Sequence, residues 1–209
     1  MNALLLGSTG LVGRHCLDYL LNSPNFELVL APVRTKSGLN HSHLTEIPLN
    51  DGEFAIPGPA VEFSHVFCAF GTTIKKAGSQ EMMRHIDVDI PLRVAKRSLE
   101  LGSKHFSLVS SLGANSSSRI FYNRIKGELE DSVSGMGFES VDIFRPSVIG
   151  GDRRNEERFM EKLGQRAMSL LPLAWRTIPA SRIAAAMISR GSDPQSGVRV
   201  FESKEIWSV

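Results

Sequence analysis

Three glycines spaced three residues apart, in Gly7-Ser8-Thr9-Gly10-Leu11-Val12-Gly13, separate two segments of different periodicity. Before them Ala3 to Leu6 is a short apolar run, the pattern of a strand buried on both faces of a parallel sheet. After them Leu11, Val12, Cys16, Leu17, Leu20 and Leu21 recur at helical spacing until Asn22-Ser23-Pro24 stops the run. A second apolar run from Glu27 to Val33 completes strand, helix and strand, a βαβ unit whose crossover is right-handed. In that setting Gly7 permits the tight turn, Gly10 lets backbone approach a ligand without a Cβ, and Gly13 lets the helix pack on the strand. The helix N-terminus then offers free N–H groups and a partial positive charge, a seat for a pyrophosphate. The spacing is G-x-x-G-x-x-G rather than the G-x-G-x-x-G of most dehydrogenases.

The alternation continues. Between Thr35 and Ser64 prolines interrupt the pattern and leave one short strand near Leu44 to Pro48. Val66 to Phe70 is a buried strand that ends in Gly71-Thr72-Thr73. A helix is predicted from about Ser79 to Leu101, with Met82, Ile86, Ile90 and Val94 on one face, a kink or restart at Pro91, and Gly102 as its cap. Phe106 to Val109 is a strand leading into Ser110-Ser111, Phe121 to Val133 a helix, and Val141 to Phe144 a strand ahead of Arg145-Pro146. From about residue 150 a small C-terminal, substrate-side appendage follows, with helices near 156–167 and 181–190 and a strand near 198–202. Residues 1–209 therefore read as one α/β domain, a doubly wound, Rossmann-like parallel sheet.

A net charge of +2 gives no reason to expect nucleic acid or an anionic membrane as a partner, and no apolar run is long enough to span a bilayer. Cys16 and Cys68 cannot build a disulfide framework and fit a reducing compartment. The opening Met-Asn-Ala-Leu-Leu-Leu has no basic region and is no secretory signal, so a cytoplasmic protein is expected.

Two further positions point to chemistry. At the end of the second strand a site selecting NAD(H) would carry an acid for the ribose 2′-hydroxyl. Here Val33-Arg34-Thr35-Lys36 offers a guanidinium, which suits a 2′-phosphate and favours NADP(H) over NAD(H). Phe70-Gly71-Thr72 would lie beside the same cofactor. Tyr122 and Lys126 stand one helical turn apart on one face. A phenol relays protons poorly at neutral pH, and a neighbouring ammonium favours its ionised form. Ser110 and Ser111 end the preceding strand, where either hydroxyl can reach a substrate carbonyl.

In these residues the chain resembles the short-chain dehydrogenase/reductase superfamily. More closely it is similar to the atypical branch of Tat-interacting-protein-like oxidoreductases. The strings Phe70-Gly71-Thr72-Thr73, Lys104-His105-Phe106 leading to Ser110-Ser111-Leu112-Gly113-Ala114, Tyr122 to Glu128, and Phe144-Arg145-Pro146 followed by Gly151-Asp152-Arg153 carry the likeness over nearly the whole chain. The resemblance implies NADP(H) bound through Gly7 to Gly13, Arg34 and Phe70 to Thr72, with Ser110, Tyr122, Lys126, Arg145, Pro146, Ile149 and Arg153 also lining the cofactor. It implies Tyr122 as general acid/base, Lys126 as its partner and Ser111 as the substrate-orienting hydroxyl. The chain lacks the large C-terminal substrate domain of sugar-modifying relatives, which argues against a nucleotide-sugar substrate.

The leading expectation is an NADP(H)-dependent reductase or dehydrogenase of a small carbonyl/alcohol substrate. Two alternatives stay open: a non-catalytic NADP(H)-binding regulator or assembly factor, and an epimerase or dehydratase that retains its cofactor. The helices over 79–101 and 121–133 are candidates either to cover the sheet or to pair between subunits of a homodimer. His41 and His43 read as a solvated loop rather than a metal site, Cys68 as a buried space-filler, and Trp175 and Trp207 as packing residues.

Overall fold

A computed structural model describes residues 1–56, 62–150 and 177–208. Strand β1 (Asn2–Leu6) buries every side chain from Ala3 onward, which requires cover on both faces of the sheet. It pairs in parallel with β2 (Leu28–Val33) on one side and β4 (His65–Cys68) on the other, Leu4 standing opposite both Leu30 and Val66. Strand β3 (Leu44–Pro48) adds to β2, while β5 (His105–Val109) and β6 (Ser140–Arg145) follow β4. A two-residue pair, β7 (Ile149–Gly150) with β8 (Ile178–Pro179), stands apart, and β9 (Gly197–Glu202) closes the main sheet beside β6. The order β3-β2-β1-β4-β5-β6-β9, parallel throughout, is the doubly wound sheet that the sequence predicts. The expected helix near 156–167, Arg153 and Trp175 lie outside the described residues.

The period of two sorts the core into two layers. Ala3, Leu5, Val29, Phe67, Val109 and Phe144 face helices α1 (Leu11–Leu21) and, at the far end of the chain, the helix over Ala180–Ser192. Their neighbours Leu4, Leu6, Leu30, Val66, Cys68 and Ile143 face the opposite layer. That layer is built on α2 (Ile74–Ala77), α3 (Gln80–Arg84), α4 (Ile90–Glu100) and α5 (Phe121–Ser134). The Ala180–Ser192 helix is α6, and a short α7 (Ser203–Trp207), unforeseen in the sequence, ends the described chain. Each fully buried Leu or Phe contributes roughly 1.5–3 kcal/mol, so the two layers hold the helices against the sheet.

Two departures shape that edge. Residues 34–43 connect the parallel strands β2 and β3 without a helix, whereas such crossovers usually carry one. The flank of α1 facing them is therefore covered by a loop alone. The second departure lies in the long helix expected over 79–101. It is α3, then a π-helical turn at His85–Asp89, then α4 with proline in its first turn. Pro91 has no N–H to donate, and its ring would press on a carbonyl one turn back; the wider turn, closed by the Ile90 N–H donating to the His85 carbonyl, absorbs both problems. The buried face also differs from the expected one, already upstream of that turn. Met82 is 48% exposed and Ile86 and Ile90 only half-buried, while Met83, Asp87 and Val94 point inward. The Met82-Ile86-Ile90 face predicted from constant spacing is thus displaced by one position.

Candidate functional site

In a doubly wound sheet, ligands bind outside the carboxyl ends of the strands where the chain order reverses, which here is between β1 and β4. The glycine loop crosses that point. Gly7 has φ +92°, and a Cβ on it would come within 2.6 Å of the Ala69 carbonyl oxygen at the end of β4. A Cβ on Gly13 would be driven into the Gly7 carbonyl. The Gly10 N–H donates to that same carbonyl at 2.9 Å, closing the turn. No side chain caps α1 and no acid stands in its first turn, so its leading N–H groups are left for a ligand. The Ser8 hydroxyl, also in the loop, is buried and has no protein partner.

Beside the loop a cavity of about 530 Å³ opens where the β2–β3 crossover lacks its helix. Ser8, Thr9, Arg14, Asp18, Asn22, Ser37, His41 and Glu46 supply its polar groups, with Leu17, Leu21 and Leu39 as its apolar wall. Arg34 is exposed one residue past β2. One Glu46 carboxylate oxygen accepts from the Ser37 N–H at 2.9 Å, and the other is buried without a partner.

On the other side of the glycine loop, Phe70-Gly71-Thr72 leaves β4 and meets a buried ion pair. Thr72 donates its N–H to Asp87 Oδ1 at 2.7 Å, and Asp87 Oδ2 lies 2.9 Å from Lys126 Nζ. Asp87 is wholly buried and Lys126 4% exposed. Burial alone would push the Lys126 ammonium down; the Asp87 carboxylate outweighs it, with help from Tyr122 and Cys68, and holds it above the usual lysine range. Asp87 is the functional candidate that the sequence reading misses. A signal for it exists in the sequence: it is a carboxylate four residues, one helical turn, after Met83 on the inward face of the helix.

Tyr122 and Lys126 share the face of α5 expected of them, with Nζ 5.9 Å from the center of the Tyr122 ring, and Tyr122 is 37% exposed. Ser110 follows β5, its N–H donating to the Phe144 carbonyl at 2.7 Å and its buried hydroxyl without a partner. The Ser111 hydroxyl donates to the Leu112 carbonyl at 3.3 Å. An uncapped helix end, two unpartnered buried hydroxyls and the neighbouring cavity fit a dinucleotide laid across the β1–β4 edge.

No family model matches the chain. Curated relatives do. The mitochondrial protein FMP52-1 of Scheffersomyces stipitis is 30% identical over 221 residues, spanning 99% of this chain and 97% of its own length. HTATIP2 of Rattus norvegicus is 31% identical over 213 residues, spanning 98% of this chain and 87% of its own. The chain belongs to the HTATIP2/FMP52 family, an atypical branch of the short-chain dehydrogenase/reductases. Among solved structures, the Bordetella bronchiseptica enzyme WbmH in complex with NAD+ superposes with a TM-score of 0.70 at 13% identity, over 97% of this chain and 75% of that one. That likeness is one of fold.

One expectation falls with these relatives. A cytoplasmic location does not stand, because the FMP52 relatives are named as mitochondrial proteins. Free cysteines and the want of a secretory pattern do not distinguish one reducing compartment from another.

The remaining expected site residues of this family member take other positions. The Arg145 guanidinium is engaged by Glu130, Nε donating at 3.0 Å and Nη2 at 2.5 Å, and Pro146 beside it is buried. Ile149 sits half-buried in β7 opposite Ile178. Leu11 is half-buried and Val12 buried in the first turn of α1. Burial pushes the Cys68 thiol up to about 11 and the Cys16 thiol up to about 12, neither a nucleophile's environment. Among the described residues no group of three or more His, Cys, Asp or Glu side chains could hold a metal, and no helix is long and apolar enough to cross a membrane.

Proposed function

We propose that the chain is an NADP(H)-dependent oxidoreductase that interconverts a small carbonyl compound and its alcohol. The observation that supports this reading is Lys126 Nζ beside Gly71, just past the end of β4 where that stretch meets the glycine loop, with the Tyr122 ring 5.9 Å from it. Gly7 to Gly13 and the N-terminus of α1 would seat the pyrophosphate, and Arg34 with Arg14 the 2′-phosphate. The structural neighbour solved with NAD+ supports a dinucleotide across this edge. When bound, the nicotinamide supplies or accepts the hydride at the substrate carbon. Tyr122 donates its phenolic proton to the carbonyl oxygen as the C–H bond forms, and takes it back from the alcohol in the reverse direction. Partly exposed, it recovers that proton from solvent. Lys126 fixes its N–H donors beside the phenol, 5.9 Å from the ring center. The buried Ser110 hydroxyl or its neighbour Ser111 orients the carbonyl.

The test is thermal unfolding with NADPH and with NADH at equal concentration. A ligand at a hundred times its Kd adds roughly 2.7 kcal/mol of stability. Stabilisation by NADPH beyond that by NADH is the expected result, and no shift with either nucleotide overturns the reading.

A further inference from the structure

The buried pair of Asp87 and Lys126 has features that stability alone does not explain. Replacing such a pair by apolar side chains is often neutral or favourable, so its presence calls for another role. Its geometry is tightly specified. A π-helical turn delivers the carboxylate, the Thr72 N–H holds one oxygen at 2.7 Å, and Lys126 Nζ lies 2.9 Å from the other. The pair also abuts the crevice. A Cβ on Gly71 would lie 3.1 Å from Asp87 Oδ2 and 3.4 Å from Lys126 Nζ, and the same stretch of backbone, at Ala69 and Phe70, meets Gly7 of the glycine loop. An ammonium has three N–H donors, and Asp87 Oδ2 stands 2.9 Å to one side of it.

We propose that Asp87 is the positioning residue of this site: its carboxylate aims the Lys126 ammonium and cancels its charge, so that the crevice meets the cofactor with hydrogen-bond donors and no net charge. This rests on the nicotinamide reading above. The consequence concerns redox state. An oxidised nicotinamide ring carries a positive charge and a reduced ring carries none. A neutral pair leaves the affinity balance between the two forms undisturbed, whereas a lone ammonium disfavours the oxidised form and a lone carboxylate the reduced one.

The experiment measures Kd for NADP+ and for NADPH, by fluorescence and calorimetry, on the unaltered chain, Asp87→Asn, Lys126→Met and the double variant. Asp87→Asn should raise the ratio Kd(NADP+)/Kd(NADPH) roughly tenfold, the order expected of one uncompensated charge in a partly buried site. Lys126→Met should lower the ratio, and the double variant should return it to within about threefold of the starting value. In Asp87→Asn the ratio should also fall back as pH rises from 7 to 10. The ammonium then faces only Tyr122 from its own helix and Cys68 from β4, and burial drives off its proton. A merely structural role for Asp87 would leave both the ratio and its pH profile unmoved, and that result overturns the proposal. If Asp87→Asn does not fold, an unchanged ratio in Lys126→Met, or a double variant no nearer the starting value than Lys126→Met, overturns it equally. Binding of neither nucleotide by the unaltered chain removes the cofactor reading and this inference with it. Binding with an unmoved ratio removes the inference alone.

Discussion

His65 and His105 face each other across β4 and β5 with ring centers 4.7 Å apart, at the end of the sheet away from the crevice. His65 is almost fully buried between Phe26 and Phe67, its Nδ1 2.8 Å from the Ser64 hydroxyl. Burial, and then the neighbouring His105, hold the His65 imidazole down to about 4; burial also lowers His105. The unfolded chain therefore takes up a proton near pH 6.5 that the folded chain refuses until about pH 4. Stability from this source is complete above pH 6.5 and declines as pH falls from 6.5 toward 4, by up to about 3 kcal/mol for His65. His65→Phe should flatten that slope, as measured by urea unfolding at intervals from pH 7.5 to 4.5. A variant curve parallel to that of the unaltered chain would show that other groups set the acid limb.

The Arg145 guanidinium and the Glu130 carboxylate form a two-point pair joining β6 to α5. Glu130 is buried, so Arg145→Met should leave its charge unpaired and cost about 3 kcal/mol, the low end for breaking a buried pair. For a chain of this length that is a fall in Tm of roughly 6–12 °C. Affinity for NADPH should stay within about twofold, because the guanidinium is already engaged. Unchanged Tm with weakened NADPH binding would return Arg145 to the cofactor contacts implied by the family resemblance.

What the sequence makes legible follows from period and punctuation. The βαβ unit, the strand over 44–48 and the turn serines after β5 are read correctly because buried parallel strands are continuous apolar runs between glycines, prolines and serines. Tyr122 and Lys126 are found because their spacing on a regular helix fixes a common face. Asp87 is not, because the apolar line Met82-Ile86-Ile90 draws the buried face one position away from the Met83–Asp87 face that the fold turns inward. Nor does the cavity beside α1 announce itself, since it is made by a helix that the 34–43 crossover does not form.

Arg34 and Arg14 should decide between the two nicotinamide cofactors. Removing a charge-assisted contact to phosphate costs about 1.5–3 kcal/mol, so Arg34→Ala should reduce the preference for NADPH over NADH by roughly tenfold or more. Arg14→Ala should act in the same direction, because Arg14 lines the cavity with Ser8 and Thr9. Glu46 lines the same cavity, with one carboxylate oxygen unpartnered. A stronger response to NADH in the unaltered chain would therefore assign the ribose to Glu46 and withdraw the role given to the arginines.

Tyr122→Phe is the sharpest test of proton transfer, because it removes one oxygen from a half-exposed side chain and leaves the Asp87–Lys126 pair in place. Stability should change by no more than about 0.5 kcal/mol, as for surface substitutions in general. NADPH affinity should hold, since the phenol acts on the substrate oxygen. Turnover of whichever carbonyl in a panel of small aldehydes and ketones is reduced most rapidly should fall by about a hundredfold to ten-thousandfold, the usual worth of a positioned acid. The loss should appear in kcat and kcat/KM alike, the sign of an interaction made only in the transition state. Equal turnover by the variant would show that the proton comes from elsewhere. Tight NADPH binding with no carbonyl in the panel reduced by either protein would favour the non-catalytic, cofactor-sensing reading.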